Sequence, residues 1–323
     1  MKKFIGIDMG GTNLRAGIVE VETGKVLALQ SIPTLAREGH DAVMERTAGL
    51  VSSLIESAGI ACSDIGGIGI GVPGVLDIER GVVLFLPNLP GNWPNVPLSA
   101  TLAAKTGLPV VILNDVRAIT YGEWKFGAGR GVDTMACFAI GTGIGGGLVI
   151  NGQLHLGIGG TGGELGHQTI DLNGPVCGCG NRGCLEAFAS GPAIAAMGVK
   201  AVVQGLTTNI GELAGYDLNK ITPDLICEAA RRGDTVAREI YDRAGNYIGI
   251  AISNVLVCVG PRKVVLAGGV AAAGDLLFEP IRRTVKERVT VMPADQVEIV
   301  RASLEGNAGV IGVALWAAQR LSG

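Results

Sequence analysis

Phe4-Ile5-Gly6-Ile7-Asp8-Met9-Gly10-Gly11-Thr12-Asn13-Leu14-Arg15-Ala16-Gly17-Ile18-Val19 is the stretch whose reading decides the fold. An apolar run ends on a carboxylate, two glycines let the chain turn, and a second apolar run leads back. That order predicts a strand, a Gly-rich turn and a returning strand, after which Glu22-Thr23-Gly24-Lys25 turns into a third strand at Val26 to Gln30. The plan recurs at Met135-Ala-Cys-Phe-Ala-Ile140-Gly141-Thr142-Gly143-Ile-Gly-Gly-Gly147-Leu-Val-Ile150, where Asn151-Gly152 has the composition of a hairpin turn. A chain of 323 residues is long for one hydrophobic core, and two copies of one plan predict two related lobes.

The intervening segments fit helices and further strands. Val43, Ala48, Val51, Leu54 and Ile55 recur at helical spacing over 41–58, and Gly59 stops the pattern. A strand follows at Ile65 to Val72, a short helix at 98–106, a buried strand at Val110 to Leu113 and a helix opening at Val116. Later helices are predicted at 191–205, 222–232, 234–258 and 308–321, with a strand at Val264 to Leu266 that ends in Gly268-Gly269. This alternation argues an α/β fold of two lobes around a cleft, with ligands at strand ends. The lobes are set at 1–116 rejoined by 307–323, and at 117–306.

Hydrophobic residues make up 48% of the chain and charged residues 17%, the proportions of an ordinary globular protein. A net charge of −3 supplies no basic field, so neither nucleic acid nor an anionic membrane is expected as a partner. The 52 glycines fall at the ends of apolar runs rather than in repeats, which suggests turns and ligand loops. The start Met1-Lys-Lys-Phe-Ile-Gly-Ile-Asp8 is too soon interrupted by an acid for a signal peptide, and no run reaches a membrane span. Cys62, Cys137, Cys227 and Cys258 are scattered in apolar surroundings, as reduced thiols of a cytoplasmic protein would be.

The other three cysteines belong to a separate feature. Gly163-Glu164-Leu165-Gly166-His167 is followed by Cys177-Gly-Cys179 and by Gly183-Cys184-Leu185-Glu186, a spacing of His-x9-Cys-x-Cys-x4-Cys. One histidine and three cysteines can supply the four ligands of a closed, structural zinc site with no open position for catalysis. Glu164 and Glu186 flank these ligands as partners of the ligands or as substrate contacts. The glycines at 178, 180 and 183 make the segment a tight loop rather than a packed core element of buried thiols.

Asp8-x-Gly10-Gly11-Thr12 places a carboxylate at a strand end beside glycines that let backbone N–H groups approach an anion, and Gly141-Thr142-Gly143 offers a similar set. A Gly-rich hairpin turn taken alone is more often just a turn, and neither stretch is a Walker or Rossmann fingerprint. Gly268-Gly269 could admit a flat adenine or simply end a strand. Asp115, at a strand-to-helix junction, has the placement of a general base and equally of a helix N-cap, with Asn114 beside it as a substrate contact or a turn residue. Asn88, Asn92 and Asn95 lie on a Pro-rich loop, from which at most one is expected to touch a sugar.

Taken together these residues resemble the ROK family of bacterial-type sugar kinases and related repressors, within the actin-like, RNase H-like ATPase superfamily. The likeness spans nearly the whole chain. It is carried by Asp8-Met-Gly-Gly-Thr12, Gly71-Val-Pro-Gly74, Asn114-Asp115, Gly141-Thr-Gly-Ile-Gly-Gly-Gly147, Glu164-Leu-Gly-His167 and Cys177-Gly-Cys-Gly-Asn-Arg-Gly-Cys-Leu-Glu186. The resemblance implies a two-lobed fold with a central cleft and transfer of the γ-phosphoryl of Mg-ATP to the 6-hydroxyl of a hexose, glucose foremost. N-acetylmannosamine, N-acetylglucosamine, mannose and fructose are the alternative acceptors, and polyphosphate is an alternative donor.

The resemblance also assigns roles. Asp115 is the base; Asn114, Glu164, His167 and Glu186 contact sugar hydroxyls, with Gly74 nearby. Asp8, Gly10, Gly11, Thr12, Gly141, Thr142, Gly143, Gly268 and Gly269 line the Mg-ATP cleft, whose lobes close to exclude water. His167, Cys177, Cys179 and Cys184 hold zinc. A dimer or tetramer is expected. Val116-Arg117 departs from the small or amide residues many members carry after the Asn-Asp pair. A sugar-sensing repressor is disfavoured, since Asp8 lies too near the start for a preceding helix-turn-helix. A nucleic-acid zinc knuckle is disfavoured too, because Arg182 is the loop's only basic residue and no aromatic precedes Phe188.

Overall fold

The computed structural model describes residues 2–86, 90–91 and 93–322. In chain order come β1 (Lys3–Met9), β2 (Asn13–Glu20), β3 (Lys25–Pro33), α1 (His40–Ala58), β4 (Ile65–Val72), the short β5 (Val75–Asp77) and β6 (Val82–Phe85), α2 (Leu98–Thr106), β7 (Val110–Asn114) and α3 (Asp115–Phe126). Then follow β8 (Met135–Ile140), β9 (Ile144–Ile150), the two-residue β10 (Gln153–Leu154), α4 (Glu186–Ala189), α5 (Gly191–Val203), α6 (Ile210–Leu213), α7 (Pro223–Arg231), α8 (Thr235–Val259), β11 (Lys263–Ala267), α9 (Asp275–Arg288), β12 (Glu298–Arg301) and α10 (Ala308–Leu321).

Contacts divide the chain into two units. Unit 1 is Met1–Gly131, Gly152–Gly163 and Ala302–Gly323; unit 2 is Val132–Asn151 and Glu164–Arg301. In unit 1 the strand order is β3-β2-β1-β4-β7, with β1, β2 and β3 antiparallel and β4 and β7 added parallel to β1. Unit 2 repeats the plan as β9-β8-β11-β12, with β8 and β9 antiparallel and β11 and β12 added in parallel. The duplication legible in the two Gly-turn hairpins is therefore a duplication of sheet topology.

Each unit has its own core. Ile5, Ile7, Ile68 and Ile70 of the unit 1 strands pack with Val43, Leu50 and Leu54 of α1, which ends where Gly59 takes a left-handed φ of 63°. In unit 2, Phe138, Val264 and Leu266 pack with Ile248 and Ile252 of α8 and with Leu277 and Ile281 of α9.

The units differ from the lobes expected at 1–116 with 307–323 and at 117–306, because α3 and 152–163 belong to unit 1. The reason is α10. A Cβ on Gly312 would fall 1.8 Å from the Ala118 carbonyl oxygen, and one on Gly122 2.3 Å from that of Ala308, so the backbones of α3 and α10 touch. The same helix lies on the sheet where Gly6 of β1 and Gly69 of β4 remove side chains; a Cβ on either would fall 1.9 Å from a carbonyl oxygen of α10. Among the described residues, no helix is long and apolar enough to cross a membrane.

Candidate active site

In unit 1 the C-terminal ends of the parallel strands are in register. Asp8 of β1 stands beside Gly71 of β4, and Val72 of β4 beside Asn114 of β7. The crevice outside such strand ends is where ligands of α/β sheets bind. Asn114 is the N-cap of α3: its side-chain oxygen accepts the N–H groups of Val116 at 3.1 Å and Arg117 at 3.3 Å. The cap role thus falls on Asn114, and Asp115 is the first helical residue, with one carboxylate oxygen accepting the Val116 N–H at 2.9 Å. Asn114 is nearly buried, whereas Asp115 is half-buried.

Asp8 and Asp115 are close enough to repel. Burial pushes the Asp8 carboxyl up to about 6, Asp115 adds to the rise, and the Arg15 guanidinium opposes it. Arg15 sits directly across the β1–β2 ladder from Asp8 and donates to the Gly306 carbonyl at 2.8 Å and to Asn307 Oδ1 at 2.9 Å. It thereby fastens the entry to α10, whose Gly309 would place a Cβ 3.3 Å from Asp8 Oδ2.

The Gly10-Gly11-Thr12 turn is latched from below. The Gly10 N–H donates to the Asn13 carbonyl at 3.0 Å; the buried Thr34 donates its hydroxyl to the Gly10 carbonyl at 2.7 Å and its N–H to that of Thr12 at 2.8 Å. Gly11 and Thr12 remain exposed. Gly74 follows β4 with φ 88°, in the region that favours glycine, and a Cβ there would fall 2.3 Å from the Phe85 carbonyl oxygen. Asn95 is exposed in a turn, while Asn88 and Asn92 lie outside the described residues.

Arg15 and Thr34 escaped sequence reading, as did Glu123 of α3. Glu123 is fully buried and accepts the N–H groups of Ala128 at 2.8 Å, Ser303 at 3.1 Å and Leu304 at 2.8 Å. Arg117 is 2% exposed, and its Nε donates to the Gly162 carbonyl at 3.0 Å. The signal available for Arg15 was its place opposite Asp8 across the Gly10-Gly11-Thr12 turn of a predicted hairpin; for a glutamate inside a helix there was none.

In unit 2, His167, Cys177, Cys179 and Cys184 converge. Their ligand atoms all lie within 4.8 Å of one another, with Cys179 Sγ to Cys184 Sγ at 3.7 Å and Cys177 Sγ to His167 Nδ1 at 3.7 Å. A tetrahedral zinc with Zn–S bonds of about 2.3 Å requires S···S edges of about 3.8 Å, so the donor set fits the ion. Burial pushes the Cys177 thiol up to about 12 and raises that of Cys184, whereas the Asn181 backbone N–H lowers Cys179. A dication is what would let all three ionise. The loop is closed by short antiparallel bridges, Thr169 with Cys184 and Val176 with Arg182.

Glu186 opens α4 beside this cluster, half-buried, and Glu164 is exposed at the turn leading into His167. The Gly141–Gly143 turn is closed by a hydrogen bond from the Gly141 N–H to the Gly143 carbonyl at 2.9 Å, with Thr142 exposed at its tip. Gly268 takes φ 89° directly after β11, against the Ile140 carbonyl; a Cβ on Gly269 would meet nothing within 4 Å. Unit 2 thus brings together the ligand cluster, Glu186 and one glycine turn.

The chain belongs to the ROK family, whose model matches residues 4–320. It is 38% identical over 321 residues to the glucokinase of Thermotoga maritima, covering 99% of both chains. A ROK family glucokinase from Streptomyces griseus, solved in complex with glucose and AMPPNP, matches with a TM-score of 0.84 and 32% identity, covering 98% of this chain and 99% of that one. The xylose repressor of Caldicellulosiruptor bescii is 32% identical over 96% of this chain and 76% of its own length.

Proposed function

We propose that this chain is an ATP-dependent hexose kinase that phosphorylates the 6-hydroxyl of glucose. The observation that carries the reading is Asp115, a half-buried carboxylate on the first turn of α3, beside a second carboxylate at the end of β1. The glucokinase relatives, matched along nearly their whole length, support the same activity.

In this reading Asp115 takes the proton of the sugar hydroxyl while its oxygen attacks the γ-phosphorus of Mg-ATP. The new O–P bond forms as the bond to the β-phosphate oxygen breaks, and ADP leaves. The Asn114 cap holds the start of α3 still, so that Asp115 is aimed without reorganisation. Asn114, Glu164, His167 and Glu186 contact sugar hydroxyls near Gly74. Asp8, the Gly10-Gly11-Thr12 and Gly141-Thr142-Gly143 turns, and Gly268-Gly269 serve the nucleotide. His167, Cys177, Cys179 and Cys184 would hold a structural zinc, and a ring nitrogen of His167 left free by the metal would serve the sugar. Cysteines without disulfide bonds among the described residues suit a reducing cytoplasm, and the family favours a dimer or tetramer, which light scattering would measure.

The test is a coupled assay of ADP release against glucose, mannose, fructose, N-acetylglucosamine and N-acetylmannosamine, with kcat/KM compared for each. Highest kcat/KM for glucose is the expected result. Preference for an acetylated sugar would replace the acceptor, and sugar binding without turnover in zinc-loaded protein would point to a sensor like the repressor relatives.

A further inference from the structure

The Gly141-Thr142-Gly143 turn is shaped by residues that belong to the metal loop. The Ile144 N–H, just past the turn, donates to Glu186 Oε2 at 2.9 Å, and a Cβ on Gly143 would fall 2.4 Å from that same oxygen. The other oxygen of the carboxylate, Oε1, stands 3.6 Å from Cys177 Sγ. Gly166 approaches from the other side, so closely that a Cβ would fall 1.8 Å from the Ile144 carbonyl oxygen. The far end of the turn is tied to the same stretch of chain: the Gly191 N–H donates to the Gly141 carbonyl at 2.8 Å.

The placement of these contacts along the chain is what gives them meaning. Gly166 directly precedes His167, and Glu186 follows Cys184 by two residues. An ion that fixes His167 and Cys184 therefore fixes both groups that abut Ile144, and Glu186 touches a third ligand besides. Side chains around a ligand set commonly orient it; here the orientation runs outward, from the ligand set to a neighbouring turn.

We propose that Glu186 is a positioning residue that ties the conformation of the Gly141–Gly143 turn to occupancy of the zinc site. Its consequence for catalysis rests on the reading of that turn as a nucleotide-phosphate contact. Zinc would then act on the nucleotide side of the reaction as well as on the sugar side, although it touches neither reacting atom.

Two measurements made without sugar separate this role from any contact of Glu186 with a hexose. One is hydrogen exchange of the Ile144 amide in ligand-free protein; the other is the affinity for AMPPNP. Both are taken on zinc-loaded wild type, chelator-treated wild type, Glu186→Ala, Glu186→Gln and Gly143→Ala. Losing a charge-assisted hydrogen bond should speed Ile144 exchange about tenfold in Glu186→Ala and in chelated protein, with AMPPNP binding weakened by about the same factor. Glu186→Gln, which keeps an oxygen acceptor, should fall between. Gly143→Ala should match Glu186→Ala while retaining its zinc, because it strikes the contact from the turn side. Unchanged Ile144 exchange in the chelated and Glu186→Ala proteins overturns the proposal, whereas faster exchange with unaltered AMPPNP affinity upholds the tie and overturns its consequence for the nucleotide. A zinc-loaded wild type that binds no AMPPNP and phosphorylates no sugar refutes the kinase reading instead, and Ile144 exchange then still decides whether zinc and the turn are tied.

Discussion

Replacing Asp8 by asparagine should stabilise the ligand-free protein at neutral and alkaline pH while removing its activity. In the folded chain burial and the nearby Asp115 push the Asp8 carboxyl from 3.8 up to about 6. A group whose folded value is raised binds its proton more tightly in the folded state, so its contribution is present below the unfolded value and is lost as pH rises through the folded one. Below pH 3.8 both states hold the proton and the variant gains nothing. Between 3.8 and about 6 the wild type loses stability progressively, and above about 6 the deficit is complete. At about 1.4 kcal/mol for each pH unit of difference, the deficit amounts to about 3 kcal/mol.

Asparagine has the same shape and no charge, so it removes that deficit. For a unit of this size about 3 kcal/mol corresponds to about 6–12 °C in Tm. The assay is thermal and urea unfolding of both proteins without ligand, at intervals from pH 4 to pH 8. The gain should grow from near zero at the acid end to its full value at the alkaline end. A gain that is constant across the range, or absent at pH 8, would refute the reasoning, because it would mean that Asp8 is not held against its charged form. Arg15→Ala sharpens the test: with the opposing guanidinium gone, the window over which the wild-type carboxyl titrates should move to higher pH.

Asp115→Asn should reduce kcat by at least about a hundredfold with sugar affinity retained, as expected for loss of a general base; kinetics alongside calorimetric glucose titration would expose an error in the assignment if turnover survived. Elemental analysis should find one zinc per chain, and chelation should make 164–186 accessible to protease; active, freshly purified protein without zinc would remove the metal from the account. Gly312→Ala forces a Cβ to within 1.8 Å of the Ala118 carbonyl oxygen and should cost about 3 kcal/mol or more in urea unfolding. Glu123→Ala strands the N–H groups of Ala128, Ser303 and Leu304. It should cost about 3 kcal/mol or more, and a loss below about 1 kcal/mol would show that water replaces the carboxylate.

Periodicity carried the regular elements a long way. The strand at Ile65–Val72 and the helices at Leu98–Thr106 and Ala308–Leu321 stand at their expected ends, and α1 stops at the glycine predicted to stop it. What was missed has identifiable causes. Helix α9 carries Pro280 in its interior, which reads as a break. The ring instead packs into the space of a missing side chain: a Cβ on Gly245 of α8 would fall 2.5 Å from Pro280 Cγ. Strands β5 and β6 are three and four residues long, too short for alternation to register. The convergence of His167, Cys177, Cys179 and Cys184, and the placing of Asn114-Asp115 at a strand-to-helix junction, were legible because both depend on residue type and spacing. Arg15, Thr34 and Glu123 act through partners that only the fold selects: one across a ladder, one under a turn, one against a segment 180 residues away. The contact units differ from the expected lobes for the same reason, since small residues on α3 and α10 announce a close contact only once both helices are known to meet.

The position of α10 explains how unit 1 tolerates two carboxylates that repel. Asp8 and Asp115 ride on different elements, β1 and α3, and both elements are pressed against one helix through glycines that bring backbone onto backbone. The segment leading into that helix is gripped twice, by Glu123 of α3 on the Ser303 and Leu304 N–H groups and by Arg15 of β2 on Gly306 and Asn307. Relaxing the repulsion by moving either carboxylate would therefore require breaking packed backbone contacts and a buried hydrogen-bond cluster together. Burial raises the Asp8 pKa most, and the fixed backbone keeps Asp115 where its charge adds to that rise. A cationic ligand beside the two carboxylates would offset that repulsion. Under the proposed function, in which Asp8 and Asp115 face a metal-bearing nucleotide, the repulsion that costs unit 1 stability would favour binding of that ligand.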